Sequence, residues 1–300
     1  MRLAFLFPGQ GAQAVGMGKS LYENSEKVKD IFNQAQDILG YDLLDIMFEG
    51  PTDLLMQTQH AQLAIFLVSY ALSQLLESEG VAPQFLAGHS LGELTAYGAA
   101  SVLPFSELLS LIKVRGEAMA NAAVHSGMAA VIGLAEQDIQ EVLSHTSVVI
   151  ANYNCPGQLV ISGFLEEIQK VTPFLKEKGG KVIPLKVSGA FHSPLMEKAS
   201  VVLKAYTASL HLKKASCPIV LNRTGEPEET SEGLKENIAL QVTSSVQWIN
   251  SISFLKTQVN GFIEIGPGKV LSGLVKKITD TPVWNMSDLD TFKEVLGHVK

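Results

Sequence analysis

Apolar residues occupy every position from Leu3 to Phe7, and the run stops at Pro8-Gly9. A short continuous apolar stretch closed by turn residues reads as a buried strand. Behind a glycine-rich turn, helical patterning runs to about Leu39 and resumes from Ala61 to Leu76, where apolar side chains lie on most sides. A helix of that kind is enclosed by protein instead of facing water. Phe85-Leu86-Ala87 reads as a second buried strand, Glu93 to Tyr97 looks helical, and a further helix covers roughly 105–122. Strands alternating with helices predict an α/β fold.

Between Ser126 and Ser188 the pattern changes. Strands are expected over Met128–Leu134, Val148–Tyr153, Leu159–Ser162 and Lys181–Val187, with helices over 136–144 and 165–178. Pro173 removes a backbone donor inside the second helix and predicts a kink there. The order strand, helix, two strands, helix, strand is the ferredoxin-like split arrangement. From His192 onward α/β alternation returns, with a helix at 195–209, a strand at Ile219–Leu221, a helix around 245–256 and a strand at Gly261–Ile265. Gly266-Pro267-Gly268 then leads into a last pair of helices, while Gly225–Gly233, rich in Glu and Thr, reads as a solvated loop. The expected architecture is an α/β core with a parallel sheet, formed by 1–125 and 189–300, interrupted by a ferredoxin-like inserted subdomain at 126–188.

Composition narrows the function classes. The 300 residues are 46% hydrophobic and 18% charged, enough to bury a substantial core. Against 30 acidic residues stand 23 Lys and Arg, a net charge of -7, which disfavours nucleic acid as a partner. The two cysteines, Cys155 and Cys217, have no metal-ligand spacing and fit a reducing compartment. The opening apolar run is too short for a signal sequence, and no stretch reads as long enough to cross a bilayer, so a cytoplasmic protein without membrane partners is expected.

The chemistry centres on Gly88-His89-Ser90-Leu91-Gly92, a G-x-S-x-G pattern between a predicted strand and a predicted helix. In that context a tight turn lifts the serine hydroxyl clear of the backbone, and the helix N-terminus directs N–H groups at a developing oxyanion. A serine needs a base. Of seven histidines, His192 is the best candidate, because it sits in the loop Ser188-Gly189-Ala190-Phe191-His192-Ser193-Pro194, whereas His89 should turn away from its neighbour's side chain. Arg115 lies on the helix after the nucleophile; a guanidinium there can clamp a carboxylate, although by sequence alone pairing with a neighbouring surface glutamate is the commoner role. Gly9-Gln10-Gly11-Ala12-Gln13-Ala14 loosely fits a dinucleotide fingerprint, but Pro8 intervenes and no acidic residue closes a second strand at the required distance. Around Gly268-Lys269 the P-loop pattern also fails, with Ile263 at its first glycine.

Phe7-Pro8-Gly9-Gln10-Gly11-Ala12-Gln13, Gly88-His89-Ser90-Leu91-Gly92-Glu93, Arg115, Asn154-Cys155-Pro156-Gly157-Gln158, Ala190-Phe191-His192-Ser193 and Gly266-Pro267-Gly268, taken together, closely resemble the malonyl-CoA:acyl carrier protein transacylase family. The likeness runs from residue 3 to about 278. It implies a hydrolase-like core and a malonyl transfer from malonyl-CoA to acyl carrier protein in fatty-acid synthesis, through a malonyl ester on Ser90, with His192 as base and no resident cofactor. It further implies backbone N–H groups of Gln10 and Leu91 as the oxyanion hole, Arg115 as the malonyl carboxylate partner, and the Gln241 carbonyl as the group orienting His192. Ser245 departs from the family, which commonly has proline there. Ala190-Phe191-His192 resembles the malonyl-selective form of its motif.

Two rivals stand beside this reading. A hydrolase or thioesterase would use the same serine and histidine but has no need of a carboxylate clamp. A non-catalytic module that binds carrier protein would have no need of Ser90, His192 and Arg115 together.

Overall fold

The computed structural model describes residues 1–122 and 125–300. Its strands are β1 (Leu3–Phe7), β2 (Phe85–Gly88), β3 (Ser126–Ile132), β4 (Val149–Cys155), β5 (Gln158–Phe164), β6 (Lys181–Pro184), β7 (Ile219–Val220), β8 (Pro227–Glu228), β9 (Gly261–Ile265) and β10 (Val283–Met286). One sheet has the order β10-β9-β1-β2-β7-β8, parallel except for the short β8 at its edge. Every residue of β1 and β9 is buried, as expected of central parallel strands covered on both faces.

The second sheet is antiparallel, in the order β4-β5-β3-β6, with the helices Glu136–Leu143 and Leu165–Glu177 following β3 and β5. Numbered within this unit, the strand order is 2-3-1-4, that of the ferredoxin-like split motif. The Leu165–Glu177 helix runs through Pro173 without interruption. We propose bounds of 126–188 for this subdomain, leaving 1–125 and 189–300 as core; residues 123 and 124 lie outside the described residues.

Several sequence-based expectations are corrected. The helix Thr58–Ser78 has the length and hydropathy to cross a membrane, contrary to the expectation that no stretch would. Its apolar character serves the core instead: it packs against the helices Glu26–Leu39, Leu91–Ala99 and Phe105–Ala122, and 72% of its most apolar window is buried. The supposed loop at Gly225–Gly233 contains β8 and the start of a helix, Ser231–Gln241. That helix begins with the Thr230 hydroxyl accepting from the Gly233 N–H. It escaped the periodicity reading because two of its inward positions, Asn237 and Gln241, are polar. β10 separates the last two helices; four residues at a sheet edge carry too little pattern to announce a strand. β6 ends at Pro184, although the Leu185 N–H still donates to the Met128 carbonyl at 2.9 Å, and the helix expected from 245 starts at Trp248.

Candidate active site

β1 and β2 lie side by side in parallel, with Phe7 opposite Gly88, so the turns at their carboxyl ends emerge together. That edge is where open α/β sheets place their ligands. The two turns touch because residue 9 is glycine: a Cβ there would run into the His89 carbonyl oxygen. Gly88 and Gly92 are equally constrained, since a Cβ on Gly92 would meet the Phe7 carbonyl and one on Gly88 the Gly92 backbone. Between them Ser90 takes φ 53° and ψ -107° and caps the helix Leu91–Ala99. The strained turn presents its half-buried hydroxyl to a cavity lined by Gln10, Ser90, Arg115, Asn152, Phe191 and His192, among others.

His192 lies 2.8 Å from the Ser90 Oγ through Nε2. Its Nδ1 faces two backbone carbonyl oxygens, Gln241 at 3.1 Å and Ser244 at 3.0 Å. Since both neighbours only accept, Nδ1 must carry the proton and Nε2 is left as acceptor for the serine hydroxyl. Burial, with the charge of Arg115 and the neighbouring His89 adding to it, pushes the His192 pKa down to about 3, so the ring is neutral near pH 7. His89 turns the other way, with Nε2 2.8 Å from Asn154 Oδ1. The loop holding the two carbonyls is fastened to β4 of the inserted subdomain. Ser245, at the position of family departure, donates its hydroxyl to the Ile150 carbonyl at 2.7 Å, and the Val246 N–H donates to Ala151 at 2.8 Å.

Arg115 is 1% exposed, which overturns the surface-pair reading. Its guanidinium donates from Nη1 to Gln62 Oε1 at 2.7 Å and from Nη2 to Gln241 Oε1 at 2.7 Å and Ser90 Oγ at 3.2 Å. Arg115 Nε has no acceptor among the described residues. Among the described residues no carboxylate lies within the 4.0 Å of an ion pair with it. Burial lowers its pKa to about 10, opposed by the charge of Glu93. The side chain therefore remains a cation with an unused buried donor beside the Ser90 hydroxyl.

Gln10 and Leu91 line the same cavity. Leu91 opens its helix, where the N–H has no acceptor within the helix, and Gln10 is tied down by its side chain donating to Thr58 Oγ1 at 3.2 Å. The structure thus gathers Gln10, Ser90, Leu91, Arg115, His192 and Gln241 around one space. Sequence reasoning missed Gln62, Asn222, Asn237, Ser244, the side-chain part of Gln241 and the burial of Glu93. For Gln62, Glu93, Asn237 and Gln241 the only signal is polarity at helix positions turned inward; Asn222 and Ser244 lie in turns, where periodicity gives none.

A family model described as acyl transferase domain matches residues 4–291. The chain is 41% identical over 287 residues to a malonyl CoA-acyl carrier protein transacylase of Bacillus subtilis (strain 168), covering 92% of this chain and 90% of that one. Among solved structures, a malonyl CoA-acyl carrier protein transacylase of Clostridium perfringens matches with a TM-score of 0.94 at 36% identity, covering 100% and 97% of the two chains. PlMCAT, a malonyl-transacylase solved with the holo form of AntF, a type II PKS acyl carrier protein, matches with a TM-score of 0.95 at 32% identity over 99% and 100%.

Proposed function

The chain belongs to the malonyl-CoA:acyl carrier protein transacylase family, and from that membership we infer that it moves a malonyl group from malonyl-CoA to the phosphopantetheine thiol of acyl carrier protein for fatty-acid synthesis. Ser90 Oγ attacks the thioester carbonyl while its proton passes to His192 Nε2. The tetrahedral oxyanion draws on the backbone N–H groups of Gln10 and Leu91. Collapse breaks the carbon–sulfur bond, and the departing coenzyme A thiolate takes the proton back from His192. The carrier thiol then gives its proton to the same nitrogen, attacks the malonyl ester and releases Ser90, closing a ping-pong cycle.

The observation that carries this reading is the buried Arg115 guanidinium 3.2 Å from the nucleophile, held by neutral amides and unpaired with any carboxylate of the described residues. A site for unsubstituted acyl groups has no use for it, whereas a malonyl group brings the missing anion. The proton and acyl transfers balance on side chains alone, so no resident cofactor enters the proposal, and a cytoplasmic location belongs to it. Incubation with malonyl-CoA alone, followed by intact mass measurement, should show one malonyl group on Ser90 and none on the Ser90→Ala protein. Rapid release of free malonate without carrier protein would instead identify a hydrolase.

A further inference from the structure

Beneath the Ser90 turn lies an enclosed polar cluster to which the transfer steps assign no task. Glu93 is wholly buried. Its Oε2 accepts the Asn222 N–H, and its Oε1 accepts from Asn237 Nδ2 and, at 2.9 Å, from Gln241 Nε2. Asn222 in turn accepts the Ser90 N–H at 2.6 Å and donates to the Gly88 carbonyl at 2.6 Å. All of Glu93's partners are donors, so the cluster is built for a carboxylate; burial opposes that charge and raises the pKa to about 7.

Gln241 is the link from this cluster to the cavity. A side-chain amide presents donors on one side and an acceptor on the other, and a half-turn exchanges them. Here Nε2 faces two acceptors, Glu93 Oε1 at 2.9 Å and the Ser90 carbonyl at 3.0 Å, which leaves Oε1 facing Arg115 Nη2. A carboxylate in direct contact would neutralise the guanidinium and compete with an incoming anion. Placing an amide between Glu93 and Arg115 orients the cation, supplies a counter-charge one side chain away, and keeps its donors available.

We infer that Glu93 is a positioning residue for substrate selection: through the Gln241 amide it fixes the Arg115 guanidinium in the orientation that meets a malonyl carboxylate. This rests on the reading of Arg115 as the carboxylate partner. Glu93 touches neither substrate nor the reacting atoms, so its effect should be on selection between acyl groups.

The test measures kcat/KM for malonyl-CoA and acetyl-CoA at pH 8, where Glu93 is ionised, at fixed carrier concentration. Glu93→Gln sets an amide N–H against a donor, and Gln241→Met keeps the main-chain carbonyl for His192 while deleting the amide. In each, the malonyl-to-acetyl ratio should fall about tenfold or more, as expected for losing a hydrogen bond to a charged group. The double variant should lower the ratio no further than Gln241→Met. A ratio preserved in Gln241→Met overturns the inference even if Glu93→Gln fails to fold, as do equal losses of both activities in Glu93→Gln or a further loss in the double variant. An unchanged ratio in Arg115→Ala would instead sink the underlying reading of the clamp.

Discussion

His192 Nε2 and Ser90 Oγ meet at 2.8 Å across 102 positions of chain, and both residues hold a positive φ, 56° and 53°. Such backbone costs about 1–3 kcal/mol per residue and persists only where surrounding contacts impose it. For Ser90 the imposition comes from the close packing at Gly88 and Gly92; beside His192 the backbone is held by the Ser162 hydroxyl donating to the Phe191 carbonyl and the Ser193 hydroxyl to that of Ala190, while two carbonyls fix the ring through Nδ1. The pair is therefore set before any substrate arrives.

Replacing His192 with Ala should slow acylation of Ser90 about a hundredfold to ten-thousandfold, the usual contribution of a general base. His89→Ala should cost less, because that ring bonds Asn154 and not the serine. Rapid-quench rates of malonyl-enzyme formation decide between them, and equal losses would show that the wrong histidine has been assigned the proton.

Arg115→Ala should cost the malonyl reaction about 2–5 kcal/mol, the range for breaking a buried charged pair. The acetyl reaction should fall much less, or rise. Lys at this position should restore only part of the malonyl activity, because a point charge cannot replace a planar fork that also bonds Gln62 and Gln241. Parallel losses in kcat/KM for both thioesters would make Arg115 a structural residue.

Gly92→Ala should destabilise the protein by several kcal/mol and abolish acylation, since the added methyl would press on the backbone carbonyl of Phe7, which has no room to retreat within its sheet. Gly273→Ala is the control. It lies in the helix Val270–Val275 with nothing within 4 Å of its added Cβ, so it should gain about 0.5–1 kcal/mol. Thermal and urea unfolding of both variants measure the contrast; similar stabilities would mean that the Ser90 turn is not tightly packed.

Two buried groups give opposite pH dependences. His192 binds its proton at about 3 when folded and near 6.5 when unfolded, so its contribution to stability is complete above pH 6.5 and is lost as pH falls towards 3. Glu93 titrates at about 7 folded and near 4.5 unfolded, so its contribution is complete below pH 4.5 and declines as pH rises to 7. Relative to His192→Gln, the wild type should lose stability on acidification; relative to Glu93→Gln, it should lose stability on going from pH 4.5 to 7. The limiting slope is about 1.4 kcal/mol per pH unit for one proton. Urea midpoints across this range would refute either assignment if the wild-type and variant curves stay parallel.

The sequence by itself determined the buried strands at Leu3–Phe7 and Gly261–Ile265, the helix at Phe105–Ala122 and the serine turn at Gly88–Gly92. These are local matters: continuous apolar runs, helical spacing and glycines where two backbones must touch leave their mark on neighbouring residues. Ser90 could be named from its pentapeptide and His192 singled out by its loop, but the clamp role of Arg115 and the orienting carbonyl of Gln241 needed a family resemblance, because nothing near those two in the chain distinguishes them from ordinary polar residues. Only the tertiary structure decided that Arg115 is buried and Glu93 stands behind Gln241, and that the carbonyls of Gln241 and Ser244 choose the tautomer of His192. Those outcomes depend on which side chains meet across the fold, and desolvation there turns a weak surface interaction into one strong enough to orient a charge. The same contacts explain why the helix Ser231–Gln241 was hidden: its inward Asn237 and Gln241 are polar and bond Glu93, and so they interrupt the apolar stripe by which a helix is recognised.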